Sequence, residues 1–594
     1  MSTPTHLDLA EAMSTRACQE AGTGKTAVLP CGATLHVGCF FDGFARDLEQ
    51  DLRNDRVSNV GRLFLAHPFD QGAPADPFIH KQKFYISGLG APFDPTLGGG
   101  SAVVGSGLKG AAGKARDNLG ELPAESATEA GVAAATDILG GKKWWERLVN
   151  NLKPDKLLMG VITAVATAGV EAVAEVRDNE QVAELFKSGV DTRLEAAVAR
   201  FENIVNEASA IGDIPLKRIA VSIYGFDFGA TLARAFCHKL FAECGPGTTR
   251  YKGLALDVVF AGLFDAVDRS MSSSIVWEYL LPLVNRVDDG ECLPGPVKAA
   301  LHLVAAHECR DTRRARLIGT GPFTPRWQER LVPGISEDVG GGLRREDSPS
   351  SRELHLACLH EMYRAAYRAG VPFPPLEELH EVDTKAAGLF VLNDHINGIS
   401  ALDAKAGYEG KAGAQSPGDA AFLDHRRLYI RHLRGLWQMY REQSRAFDEE
   451  EARLERPVLG SGGILARHLG LGNESAAQAA RRDRVLQEVR ANRDALRQQL
   501  GWLEQVEAEA RRLRYGINRS AVEELLDEWF AATSSGPGFA IEDLLEFFLN
   551  DRYMVSRMEP SDRTPKYFAV RDFDTPNPLK TRGTLPNPLE HVRG

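Results

Sequence analysis

The stretch VSIYGFDFGATLARAF, Val221 to Phe236, joins an apolar run to an alanine-rich one through Gly225-Phe226-Asp227-Phe228-Gly229. A tip residue flanked by glycines two positions either side, between strand and helix, is the shape of a nucleophile elbow. The glycines admit backbone segments too close for side chains, and the N–H after the tip forms half of an oxyanion hole. The usual tip is serine; here it is Asp227. Two uses of an aspartate follow. It could itself be a nucleophile, because a carboxylate is ionised near pH 7 and needs no base for the first attack. Release of the resulting ester needs an activated water and therefore a base, for which His302 and His307 (in VAAHECRD) are the candidates the chain offers. Alternatively, Asp227 is structural. A carboxylate where a helix starts gains about 0.3–1 kcal/mol from the dipole and the free N–H groups. In the serine's own role Asp227 would repel a developing oxyanion, where losing even one donor costs about 10²–10³ in rate.

An elbow requires a strand before it, a helix after it and neighbours that bring other groups to its tip. PLKRIAVSIYG is the apolar strand that leads into the turn. TLHVGCFFDG (Thr34–Gly43) reads as a buried first strand ending in an acidic glycine turn, and LALDVVFAGLFD (Leu254–Asp265) as a third. Strands separated by helical segments predict a parallel sheet covered by helices, an α/β chain. VPGISEDVGGGL ends in three glycines, which mark a loop whose backbone passes close to something. SSRELHLACLHEMYRAAYRAGV reads as an amphipathic helix, with Leu354, Cys358, Met362 and Ala365 at helical spacing.

Composition divides the rest. Residues 1–30 read as a flexible lead and 31–400 as a core with an insertion at about 96–208, glycine-rich from Thr96 to about Gly141 and helical beyond. Residues 401–545 read as a helical region. There Val489, Leu496, Leu503 and Ala510 recur every seven positions, as in a coiled-coil hairpin joined through VLGSGGILARHLGLGN. Residues 546–594 return to the core and end in a proline-rich, extended tail.

The elbow and the blocks around it also resemble a known family. GFDFGATLARAF is similar to the GFSRGAxxAR elbow of the Tle-type phospholipase effectors of bacterial type VI secretion, an α/β-hydrolase family. FFDGFARDLEQ…SNVGRLF (Phe40–Phe64) resembles FFDGTxNN…TNVxRL, and YISGLG (Tyr85–Gly90) resembles YYxGxGT. AGLFDAVD (Ala261–Asp268) resembles xGLWDTV, VPGISEDVGGGL resembles FPGVHSDVGGGY, and FFLNDRY (Phe547–Tyr553) resembles xxVHDSxA. The resemblance implies an α/β-hydrolase fold with a helical insertion and a helical, partly coiled-coil C-terminal region. It implies Asp265 as the triad acid, and Gly225, Phe228, Gly229, Asp42 and Gly43 as the elbow and oxyanion region. It also implies histidines that this chain lacks, since Ser336 and Asn550 stand at those positions. Phe228 replaces an arginine, and Phe44 is large where a small residue leaves room. Asp338 remains, but an acid has no catalytic partner without an imidazole. The expectation is a lipase-effector-like protein with a degenerate site. It would bind a lipid or membrane surface or a secretion-system component, and be made in the cytoplasm and exported by type VI secretion. The alternative is an active hydrolase, either phospholipase- or esterase-like or an aspartate-nucleophile hydrolase of epoxides or halides.

Bulk properties narrow the classes. The chain has 594 residues, 43% hydrophobic and 25% charged, with a formal net charge of −11. That charge argues against nucleic acid as a partner. The 8 cysteines form no CxxC pair, so no metal and no cofactor is expected, and buried free thiols suit a reducing compartment. MSTPTHLDLAEAMSTRACQEAG shows no basic start followed by an apolar run, so no Sec signal is expected. The most apolar segment, Leu157–Val176, is interrupted by Glu171 and Glu175, and its uncharged part falls short of the ~20 residues of a spanning helix. It reads as a buried helix or as one that inserts on a trigger.

Overall fold

The computed structural model describes residues 32–93, 189–268 (except 212–213 and 246), 292–456 (except 320–323, 348–349 and 414), 476–531 (except 517–521), 536–557 and 566–574. The lead, the stretch Thr96–Gly141, the segment Leu157–Val176, the VLGSGGILARHLGLGN joint and the tail past residue 574 lie outside these residues.

The main sheet is built from β1 (Ala33–Phe41), β2 (Ile79–Ile86), β3 (Leu216–Phe226), β4 (Arg250–Tyr251), β5 (Leu254–Phe264), β7 (Ala300–Ala305) and β9 (Trp327–Val332). Its order is β2-β1-β3-β5-β7-β9, all parallel, with β4 antiparallel on β5. A small second sheet joins β6 (Val267–Asp268), β8 (Arg314–Arg316) and β10 (Phe573–Asp574) in the order β10-β8-β6. Around the main sheet lie α1 (Asn59–Ala66), α2 (Val190–Ser209), α3 (Phe228–Ala242), α4 (Ser336–Gly340) and α5 (Leu354–Arg368). The later helices are α6 (Ala401–Ala412), α7 (Asp419–Glu455), α8 (Ala476–Leu500), α9 (Leu503–Arg514), α10 (Glu523–Phe530), α11 (Phe539–Phe547) and α12 (Asp551–Ser556).

The central strands read as unbroken apolar runs because a parallel sheet is covered on both faces. Along β1, Leu35, Val37, Cys39 and Phe41 enter the layer shared with α2 and α3. Phe40 points the other way, stacks on Tyr224 at 4.9 Å and joins the layer of α1 and α5. In α5 the buried stripe is Leu354, Cys358, Met362 and Ala366, with Ala365 only half-buried.

The later helices form a second core around Tyr408, Tyr429, Leu503, Leu526 and Leu544. Helix α7 runs antiparallel to α8 and α9 taken together: Arg490 of α8 meets Glu451 and Glu455 at 2.6 Å, while Tyr440 reaches Glu504 of α9 at 2.8 Å. Val489, Leu496, Leu503 and Ala510 are all buried, although the helix breaks at Gly501-Trp502, so the sevenfold repeat is shared by α8 and α9. Among the described residues no helix is long and apolar enough to cross a membrane.

Candidate functional site

Asp227 sits between the end of β3 and the start of α3 with φ 53° and ψ −129°, a strained backbone for a residue with a Cβ. The turn is fixed from both sides: the Asp227 N–H donates to the Phe264 carbonyl, and the Val267 N–H donates to the Asp227 carbonyl. The flanking glycines are required by contact. A Cβ at Gly225 would lie 2.3 Å from the Ala230 Cα, and one at Gly229 would lie 2.1 Å from the Asp42 carbonyl oxygen. The loop after β1 therefore rests directly on the elbow. Its shape is held by Asp42, whose Oδ1 accepts the Gly43 N–H at 2.7 Å and whose Oδ2 accepts Ser58 Oγ and Tyr85 Oη at 2.6 Å. Burial pushes the Asp42 carboxyl up, and these hydrogen bonds offset part of that rise.

Asp227 stands at the N-cap position of α3, as expected, but its side chain makes no capping hydrogen bond to that helix. The strained φ sends the Cβ toward the loop after β1, against Gly43. Asp227 Oδ2 accepts the Phe44 N–H at 3.1 Å, and Oδ1 lies 3.9 Å from Arg313 Nη1. Phe44 is buried beside it, and Phe228 packs into the layer of α2 and α3.

From Arg313 a chain of buried ions runs inward. Arg313 Nη2 reaches Glu337 at 3.0 Å. Arg310 Nη2 lies 2.7 Å from Glu337 and 2.5 Å from Glu308, and Arg310 Nε adds a bond to Glu308 at 2.8 Å. Burial alone would raise both carboxyls, but Arg310 and Arg313 hold Glu308 and Glu337 below the ordinary carboxylate range. The Ser336 N–H donates to Glu308 at 3.3 Å, while Ser336 Oγ is buried without a hydrogen-bond partner among the described residues.

The remaining expected site residues are engaged elsewhere. Asp265, with φ 45°, accepts the Ala305 N–H at 2.9 Å and is gripped by both Nη atoms of Arg571, at 2.5 and 3.0 Å. The acid thus has a partner after all, a guanidinium in place of an imidazole. Asn550 meets Asp338 rather than Asp227: its Nδ2 donates at 2.6 Å and its N–H at 3.1 Å, and Asp338 also accepts the Ile335 N–H. Burial pushes the Asp338 carboxyl up to about 7 against these bonds. His302 Nε2 accepts the Ala266 N–H at 3.0 Å, and Nδ1 meets Glu329 at 2.7 Å. His307 Nδ1 accepts the Gly334 N–H at 3.0 Å, and Nε2 meets Tyr408 Oη at 3.3 Å. Both imidazoles have both nitrogens occupied away from Asp227.

Asp42, Gly43, Gly225, Asp227, Phe228 and Gly229 therefore meet at one point, Asp265 lies on the neighbouring strand end, and Ser336 and Asn550 belong to separate contacts. Sequence reasoning missed Arg310, Arg313, Glu308, Glu337 and Arg571. The charged cluster HECRDTR after an apolar run was a signal for the first three; Arg571 had none. Among the described residues no group of three or more His, Cys, Asp or Glu side chains could hold a metal. The arrangement holds a carboxylate at a strained tip, with His302 and His307 both engaged elsewhere.

No protein-family model matches the chain, and neither does any curated protein sequence. Among solved structures, an uncharacterized protein from Pseudomonas aeruginosa is 17% identical, with a TM-score of 0.52 over 96% of this chain and 83% of that one. A Tle1 effector bound to the VgrG spike of the type VI secretion system is 17% identical, with a TM-score of 0.28 over 62% of this chain and 83% of that one. The first likeness supports a shared fold alone; the second superposition is too loose to carry an argument.

Proposed function

We propose that this chain is a catalytically silent relative of the α/β-hydrolase lipase effectors. It would keep the elbow as architecture and act by binding a lipid or membrane surface or a component of the type VI secretion apparatus. It would be made in the cytoplasm and exported by that route. The observation that carries the silent site is the state of Asp265, whose carboxylate is filled by the Arg571 fork. In a triad the imidazole between acid and nucleophile takes the proton and returns it. A guanidinium stays protonated at any working pH and does neither. The occupied nitrogens of His302 and His307 support the same reading. The binding role rests on the ordered motif blocks from Phe40 to Tyr553. The test is hydrolysis of phospholipid and short-chain esters by the purified chain beside Asp227→Ala. No turnover is expected from either. Turnover that vanishes in Asp227→Ala would overturn the proposal, and liposome flotation and pull-down with a spike protein then separate the two kinds of partner.

One contact favours a second reading. Asp227 Oδ2 accepts the Phe44 N–H and Oδ1 lies 3.9 Å from Arg313 Nη1, so a positioned carboxylate would be the group to attack an epoxide or alkyl halide. With His302 and His307 engaged elsewhere and unable to activate water, the alkyl ester would accumulate. Mass spectrometry of the chain after incubation with such a reagent would show an adduct on Asp227 if this reading holds, and unmodified protein if it does not.

A further inference from the structure

We propose that the ends of β5, β7 and β8 form a guanidinium-binding site, built from the Asp265 carboxylate and the carbonyls of Ala305 and Arg313, which this chain fills with its own Arg571. This goes beyond the functional reading, because it concerns a ligand slot and not the loss of catalysis.

An arginine offers five N–H donors in a rigid fork. Arg571 spends them all inside this slot. Nη1 donates to Asp265 Oδ1 at 2.5 Å and to the Ala305 carbonyl at 2.8 Å. Nη2 donates to Asp265 Oδ2 at 3.0 Å and to the Arg313 carbonyl at 2.8 Å, and Nε reaches the same carbonyl at 3.1 Å. The two side chains are 1% and 0% exposed. The receiving groups belong to other elements and are fixed without Arg571. The Asp265 N–H donates to the Leu303 carbonyl, Asp265 Oδ1 accepts the Ala305 N–H, and β8 is paired with β6. A carboxylate flanked by two carbonyls suits an alkylguanidinium. An ammonium has three donors, is held less selectively and is harder to strip of water.

The occupant arrives from far away along the chain, in the segment 566–574. That segment is tied to the helical region by the Tyr567 and Phe568 N–H groups on Glu509, and to the sheet by the two-residue pairing of β10 with β8. Arg571 therefore behaves as a ligand supplied in cis, and the segment as the strap that delivers it. An arginine side chain presented by another protein segment would compete for the same slot.

The experiment is chemical rescue of the full chain carrying Arg571→Ala. The variant is expected to melt several degrees below the parent. Millimolar ethylguanidinium should raise its Tm by about 2 °C or more, since a ligand that binds only the folded state stabilises it in proportion to the logarithm of its concentration over Kd. Ethylammonium should not, and neither compound should raise the Tm of the parent or of Arg571→Ala combined with Asp265→Asn. If Arg571→Ala does not stay folded, the same comparison is made on the yield of refolded protein. Absence of a selective gain from ethylguanidinium in both readouts overturns the proposal, as does an equal gain in the Asp265→Asn background.

Discussion

Arg310 holds the balance of charge beside the elbow. Its guanidinium lies 2.5 Å from Glu308 and 2.7 Å from Glu337, and all three side chains are almost sealed from water. Arg310→Met leaves two buried anions short of a counter-charge. Removing one member of a buried ionic set costs about 3–5 kcal/mol, so urea unfolding at neutral pH should show a loss of that size. Replacing the set together, Glu308→Gln with Arg310→Met and Glu337→Gln, should recover most of it, because exchanging a whole buried ion group for neutral side chains is often close to neutral. A triple variant as unstable as the single would mean that the contacts matter for shape and not for charge. The pH sense is set by the lowered carboxyls. Their stabilisation is fully present above the ordinary glutamate value of about 4.3 and is lost as pH falls through the lower folded values.

The elbow was legible because its signal is local: an apolar strand, two glycines at fixed spacing and an alanine-rich helix. The glycines make that signal testable. Gly229→Ala would drive a Cβ to 2.1 Å from the Asp42 carbonyl oxygen, so the loop after β1 must move, and thermal unfolding should show a loss of several degrees. Gly435 lies exposed in α7 with nothing within 4 Å of an added Cβ. Gly435→Ala should therefore stabilise, by up to about 1 kcal/mol, through helix propensity alone. Equal losses in the two variants would show that the elbow is no tighter than an open helix surface. The strands read from sequence were three of the buried central ones, β1, β3 and β5, while β7, equally buried but only six residues long, was not. The ones that escaped include β2 and β9, at the two edges of the main sheet, where IHKQKFYI and WQERLV mix polar with apolar residues because part of each strand faces water. The counter-ions escaped for a different reason. Asp265 and Arg571 are brought together by the fold from 306 positions apart, and no local spacing encodes such a pair.

At the scale of the whole molecule, the sheet and the helical region meet through buried groups that respond to pH in opposite senses. Asp338 ties α4 to Asn550, ahead of α12, and its carboxyl is pushed by burial up to about 7. Between the unfolded value near 3.9 and that folded value, the native state keeps a proton that the unfolded chain has lost. Its contribution therefore falls as pH rises through the window, by at most about 1.4 kcal/mol per unit, and is flat above it. His425 on α7 bonds Tyr408 of α6 at 2.8 Å, and Tyr408 in turn reaches His307 past β7. Burial lowers His425 to about 4, with neighbouring Asp424 pulling weakly the other way. Here the unfolded chain takes up the proton first, near 6.5, so the contribution is present above that value and lost as pH falls toward 4. The bulk pH profile mixes both senses, so single variants must separate them. Urea unfolding between pH 4.5 and 8 should show the stability of Asp338→Asn, relative to the parent, rising as pH rises to about 7. The same difference for His425→Gln should rise as pH falls below about 6.5. Two slopes of opposite sign would assign one proton to each contact between the sheet and the helical region. A flat difference for Asp338→Asn would mean that this carboxyl titrates as it does in the unfolded chain, and that Asn550 is held there by its hydrogen bonds alone.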